Sequence, residues 1–98
     1  MKAIFNQKII ADSNDTIVIE GNYYFPKQSV HYENLSKTDF HTTCPWKGEA
    51  SYFTIKVDNK INENGAWYYP NPKPTAKEVV GVDFSNYVAF WQGVEIIG

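Results

Sequence analysis

No stretch of this chain sustains a helical hydrophobic period for four turns; its apolar residues instead alternate or run in short blocks, each bounded by turn-forming residues. Short alternating blocks between turns are the pattern of half-buried strands, so the chain is restricted to a mostly β fold. Ala3-Ile4-Phe5 and Ile9-Ile10-Ala11 flank Asn6-Gln7-Lys8 as a first hairpin, and Ser13-Asn14-Asp15 turns the chain into a strand over residues 16–20. Gly21-Asn22 is a break. Tyr23-Tyr24-Phe25 stops at Pro26, residues 26–29 form a single helical turn, and residues 30–35 resume as a strand. Residues 50–57 make a strand rich in aromatic and β-branched side chains, followed by a turn at Asp58-Asn59-Lys60.

The second half continues in the same way. A turn is expected at residues 62–65, then a strand at Ala66-Trp67-Tyr68-Tyr69, with Trp67 and Tyr69 on one face and Tyr68 on the other. Three prolines in residues 70–74 impose an extended link. The one helix signal lies at residues 75–80, with Thr75 as N-cap, Glu78 three positions on and Gly81 as the stop. Residues 87–91 and 94–97 read as a closing hairpin across Gln92-Gly93. The expectation is one compact antiparallel two-sheet domain over residues 1–98, β-tent or sandwich-like, with one short helix.

Charge and cysteine content narrow the function. A formal net charge of −2, with neither sign gathered into a block, is a poor footprint for nucleic acid. No apolar run is long enough for a membrane span, and Met1-Lys2-Ala3-Ile4-Phe5-Asn6 turns polar too early for a signal peptide. The single Cys44 cannot form an internal disulfide, which together with the missing signal points to the cytoplasm. A small-molecule partner is expected, and no nucleic acid, membrane or cofactor. Aromatic residues reach 16%; much of this is core, but Tyr and Trp also make rigid binding walls with polar tips.

The densest chemistry lies in His41-Thr42-Thr43-Cys44-Pro45-Trp46-Lys47-Gly48, where a thiol, an ammonium and an indole surround a turn. Taken in order, Glu20-Gly21-Asn22-Tyr23-Tyr24-Phe25-Pro26, Thr43-Cys44-Pro45-Trp46-Lys47-Gly48, Ala66-Trp67-Tyr68-Tyr69-Pro70 and Tyr87-Val88-Ala89-Phe90-Trp91 resemble the domain of unknown function 427 family. The resemblance covers almost the whole chain and implies a small, mostly β domain. It brings no established activity, although a nucleotidyltransferase label is sometimes attached to the family. Nucleotidyl transfer normally needs carboxylates holding Mg²⁺ and a phosphate cradle, and no Gly-Ser followed by spaced acidic pairs occurs here. The family is also similar to β-tent folds, many of which are pinned by zinc through paired Cys-x-x-Cys motifs. One cysteine cannot supply four thiolates.

Two readings of Cys44 stand side by side. Lys47 and His41 could make it a nucleophile or redox thiol, or it packs as a small half-buried residue under Trp46. Lys47, before Gly48 in a turn, suits contact with an anionic or carbonyl group; the plain alternative is a solvated lysine. Trp46, Trp67, Tyr69 and Trp91 could wall an aromatic pocket or simply fill the core. His31, Glu33, Asp39 and His41 match no metal-ligand spacing, and no metal is expected. The first functional expectation is therefore a small-molecule-binding domain with ligand contacts from Thr43, Cys44, Trp46, Lys47, Trp67 and Tyr69. The alternatives are an enzyme using Cys44 or Lys47, and a structural or homodimeric interaction domain. Because burial is expected to outweigh the neighbouring ammonium, iodoacetamide should modify Cys44 far more slowly in the native protein than in the urea-unfolded chain. Rapid native modification that disappears in Lys47→Ala would favour the enzyme.

Overall fold

The computed structural model describes residues 1–98. β1 (Lys2–Phe5) and β2 (Lys8–Asp12) pair across Asn6-Gln7, whose left-handed backbones (φ 49° and 66°) match the twist of the strands they join. β3 (Ile17–Ile19) and β4 (Asn22–Tyr24) pair in the same way across Glu20-Gly21, with φ 54° and 81°. Glycine takes the second of these positions without a Cβ penalty. β5 (Leu35–Cys44) and β6 (Gly48–Val57) are joined by the Pro45-Trp46-Lys47 turn, and β7 (Lys60–Tyr68) follows through Asp58-Asn59. The helix α1 (Pro74–Val80), β8 (Val88–Phe90) and β9 (Glu95–Ile97) complete the chain.

Every strand pair is antiparallel. The sheets run β2-β1-β9, β3-β4 and β5-β6-β7-β8. The chain leaving β4 is tied to β8 by reciprocal Phe25 and Val88 backbone hydrogen bonds of 2.8 and 2.9 Å, so the small sheet continues the large one. Phe53, Ile55, Val88 and Phe90 on one face of the large sheet, with Phe25 from the segment bridged to β8, pack with Ala3, Phe5 and Ile10 of the three-stranded sheet. The opposite face buries Tyr24, Trp67, Tyr69 and Ala89 with Ile19, Ala76 of the helix and Phe84 of the loop after it. Strand alternation explains the division, since Ala66 and Tyr68 join the first core and Trp67 and Tyr69 the second.

Four expected elements differ, each for a local reason. Residues 30–35 are not a strand: Val30 makes only a bridge to Ala11, and Tyr32–Asn34 is a 3-10 turn that feeds β5. Residues 62–65 are not a turn but an interruption within β7, because the chain re-pairs with β6 on both sides of them. The helix starts at Pro74, with Lys73 rather than Thr75 at the N-cap, since proline has no N–H to lose at the first helical position and its φ is already helical. Residues 87–97 do not form a hairpin. Trp91 donates its backbone N–H to Gly65 and Asn62 Nδ2 donates to the Gln92 carbonyl, and the chain then leaves for the other sheet, where β9 pairs with β1.

Phe84 has no exposed surface and lies edge-on to Tyr24 and Tyr69, so it fastens the loop after α1 beneath the second core. Phe84→Ala should lower unfolding free energy by about 3–5 kcal/mol. Val79→Ala, at a helix position 76% exposed, should stay within about 0.5 kcal/mol of wild type. Urea denaturation followed by circular dichroism measures both.

Candidate functional site

The site begins with two interruptions in the central ladder. Between the Lys37–Phe53 and His41–Ser51 pairs, β6 carries only Tyr52 while β5 carries Thr38, Asp39 and Phe40. Between Phe53–Ala66 and Ile55–Asn62, β6 carries only Thr54 while β7 carries Glu63, Asn64 and Gly65. Extra residues bend a strand and re-aim its side chains, which is why bulges gather at binding sites. Threonines stabilise both: Thr38 Oγ1 accepts from the Phe40 N–H at 3.2 Å, and Thr54 Oγ1 accepts from the Asn64 N–H at 3.3 Å. Asn64 tolerates the left-handed φ of 53° that the bulge demands. A Cβ on Gly65 would lie 2.5 Å from the Asn62 side chain, which would have to move away from its hydrogen bond to the Gln92 carbonyl.

These bulges border a cavity of about 440 Å³ on the second-core face. Tyr24, Trp67 and Tyr69 are buried beneath it, while Phe40 and Trp91 stand at its edge, 48% and 56% exposed. Trp91 meets Trp67 edge-to-face at 5.8 Å, and Phe40 tilts over Tyr52 at 4.8 Å. Polar groups punctuate the aromatic wall. Trp67 Nε1 donates to the Tyr24 hydroxyl at 3.0 Å, and Thr42 Oγ1 shares a 2.9 Å hydrogen bond with the Tyr52 hydroxyl. Burial pushes the Tyr24 and Tyr69 phenols above their ordinary range, which keeps them protonated. Asn64 Oδ1 is buried without a protein partner.

Lys47 closes one end of the cavity and is only 5% exposed. Its turn is held from behind: Lys73 donates its backbone N–H to the Lys47 carbonyl at 2.9 Å and its Nζ to the Pro45 carbonyl at 2.6 Å. The proline-rich link therefore fixes the turn that aims Lys47. Its Nζ lies 4.9 Å from the Trp46 ring centre and 5.5 Å from that of Tyr69, and it pairs with the carboxylate of Glu20 at the tip of the β3–β4 turn. Burial favours the neutral amine and holds Lys47 below the ordinary lysine value of 10.5. The Glu20 charge acts in the opposite sense, favouring the ammonium.

Of the six residues picked out from sequence, Lys47, Trp67 and Tyr69 line the cavity. Thr43, Cys44 and Trp46 do not. Thr43 is exposed on the other face of β5; Cys44 is half-buried, packed on the second core beside Tyr69; and Trp46 packs on that core from the turn. His41 also lies across β5 from Cys44, with Nδ1 3.2 Å from Ser51 Oγ, so the two do not pair. His31 Nδ1 instead meets the Ile9 carbonyl at 3.0 Å. The cavity adds Asn22, Tyr24, Phe40, Thr42, Tyr52, Glu63, Asn64 and Trp91 to the three. Of these Trp91 was legible as a candidate wall residue. Glu20 opens one of the family segments, but nothing local pairs it with Lys47, which lies 27 residues away.

The match to the family model of domain of unknown function DUF427 covers residues 1–97, and the chain belongs to that family. The nucleotidyltransferase wording attached to the family is a name and assigns no activity. No curated protein matches the chain.

Because burial holds Lys47 below its ordinary value of 10.5, the native protein is expected to release this proton at lower pH than the unfolded chain does. Between those values the unfolded state binds more protons, so the Lys47 contribution to stability is unfavourable below the window and improves as pH rises through it. In Lys47→Met that rise should vanish, and stability at pH 7 should equal or exceed wild type. Glu20→Gln should shift the Lys47 titration further down, as followed by NMR of its ε-carbon. A Lys47 midpoint at or above 10.5 in wild type would contradict this.

Proposed function

We propose that this domain binds a flat, uncharged small molecule in the aromatic cavity, with Lys47 hydrogen-bonding the oxygen of its polar head. The observation that carries the reading is the burial of a lysine ammonium at the end of an aromatic-walled space of about 440 Å³. That volume falls among ordinary small-molecule sites, which combine apolar walls with a few converging polar groups. A buried cation works against stability unless well paired, and an aromatic cavity with exposed rings at its rim leaves apolar surface uncovered. Both make sense where a ligand covers the rings and accepts the hydrogen bond.

Charge favours a neutral head over an anion. Lys47 is the one cation lining the space, against Glu63 at the cavity and Glu20 already on the ammonium. A carboxylate ligand would have to displace Glu20 or accept its repulsion. A carbonyl or hydroxyl needs neither. Thr43, Cys44 and Trp46 then contribute through the shape of the turn rather than by touching the ligand.

Calorimetric titration with 2-naphthaldehyde, naphthalene-2-methanol and 2-naphthoate tests this. The two neutral probes should bind and raise the melting temperature, the carboxylate more weakly. Lys47→Met should weaken the neutral probes by about tenfold or more, as expected for loss of a hydrogen bond to a charged donor, without lowering the melting temperature of the free protein. Failure of every probe to bind at millimolar concentration would overturn the reading.

A further inference from the structure

We propose that Lys47 condenses with the carbonyl carbon of an aromatic aldehyde or ketone seated in the cavity, forming an imine, with Glu20 carrying the proton. The inference rests on the binding reading above and names its substrate class. Four observations lead to it. The cation in the cavity is a primary amine, in a chain with nine lysines and no arginine. Its turn is clamped by two hydrogen bonds from Lys73, so the amine is positioned before any ligand arrives. Its Nζ touches a carboxylate, the group needed to take a proton from an ammonium and return it. Aromatic side chains surround it, in a space that a flat ligand would empty of water, which protects an imine from hydrolysis. The depression of Lys47 by burial acts in the same direction, because the nucleophile is the neutral amine.

The step balances without an oxidant or a further reactant. Lys47 Nζ gives one proton to the Glu20 carboxylate, and its freed electron pair bonds the carbonyl carbon while the C=O π pair moves to oxygen. A proton passes from nitrogen to that oxygen, giving a neutral carbinolamine. Glu20 then protonates the hydroxyl, the C–O bond breaks, and water leaves as the nitrogen lone pair closes the C=N bond. The products are a protonated imine on Lys47, one water and the Glu20 carboxylate restored. A carboxylate ligand has no such route, and the other lysines lack this combination of cavity, clamp and proton carrier.

The test is reaction with limiting 2-naphthaldehyde and cyanoborohydride, which reduces the imine to a stable secondary amine, followed by peptide mapping. One saturable adduct on Lys47, suppressed by naphthalene-2-methanol and absent from Lys47→Met, is expected. Near pH 8, where loss of water limits imine formation, Glu20→Gln should slow labelling by about tenfold or more. Melting shifts measured in parallel separate the two readings. If aldehyde and alcohol both stabilise the protein while the label spreads over other lysines, the imine is overturned and binding stands. If neither stabilises it, both fall. Labelling of Glu20→Gln at or above the wild-type rate would remove Glu20 from the step.

Discussion

The structure depends on burying both faces of the β7–β8 ladder. Ala66, Val88 and Phe90 face the three-stranded sheet, while Trp67, Tyr69 and Ala89 face a second core closed by Tyr24, Phe84 and the helix residue Ala76. A strand covered on one side only could leave its other face polar and solvated. Here that second face is aromatic, and a small helix with a few loop residues can cover only part of it. The uncovered part is the cavity. The fold thus creates its candidate site by having more aromatic surface on one sheet face than its own chain can pack.

Holding the cavity open falls to local backbone devices rather than to the core. Bulges in β5 and β7 oppose three residues to one on β6 and carry Phe40, Glu63 and Asn64 to the border of the space. Opposite them, the proline-rich link carries Lys73, whose two hydrogen bonds fasten the Pro45-Trp46-Lys47 turn. The rigidity of the link has a purpose in this arrangement. It presses an ammonium into an aromatic enclosure, where burial opposes its charge while Glu20, from the β3–β4 turn, and the faces of Trp46 and Tyr69 offset that cost.

Elements with a local cause were legible in the sequence. The Asn6-Gln7 and Asp58-Asn59 turns, the strand ending at Pro26 with the helical turn after it, and the helix ending at Gly81 follow from φ preferences and missing N–H groups. Where the cause was distant, local signals misled. Asn62-Glu63-Asn64-Gly65 has turn composition, yet β6 pairs on both sides of it and makes it a bulge. Gln92-Gly93 has hairpin composition, yet β1 captures the segment beyond it. A turn signal says that the chain bends, not which strand it meets next.

The same division holds for the candidate site. By itself the sequence determined a mostly β chain of antiparallel strands with one short helix, a resemblance to its family, and a suspect turn containing Lys47, because alternation, capping and motif order are properties of neighbouring residues. Only the tertiary structure decided that Lys47, Trp67 and Tyr69 share a cavity with Tyr24, Tyr52 and Asn64, that Cys44 and His41 lie on opposite faces of one strand, and that Glu20 reaches Lys47. Burial, charge pairing and cavity shape depend on which strands pair and in what register, and these are settled by the packing of the whole chain.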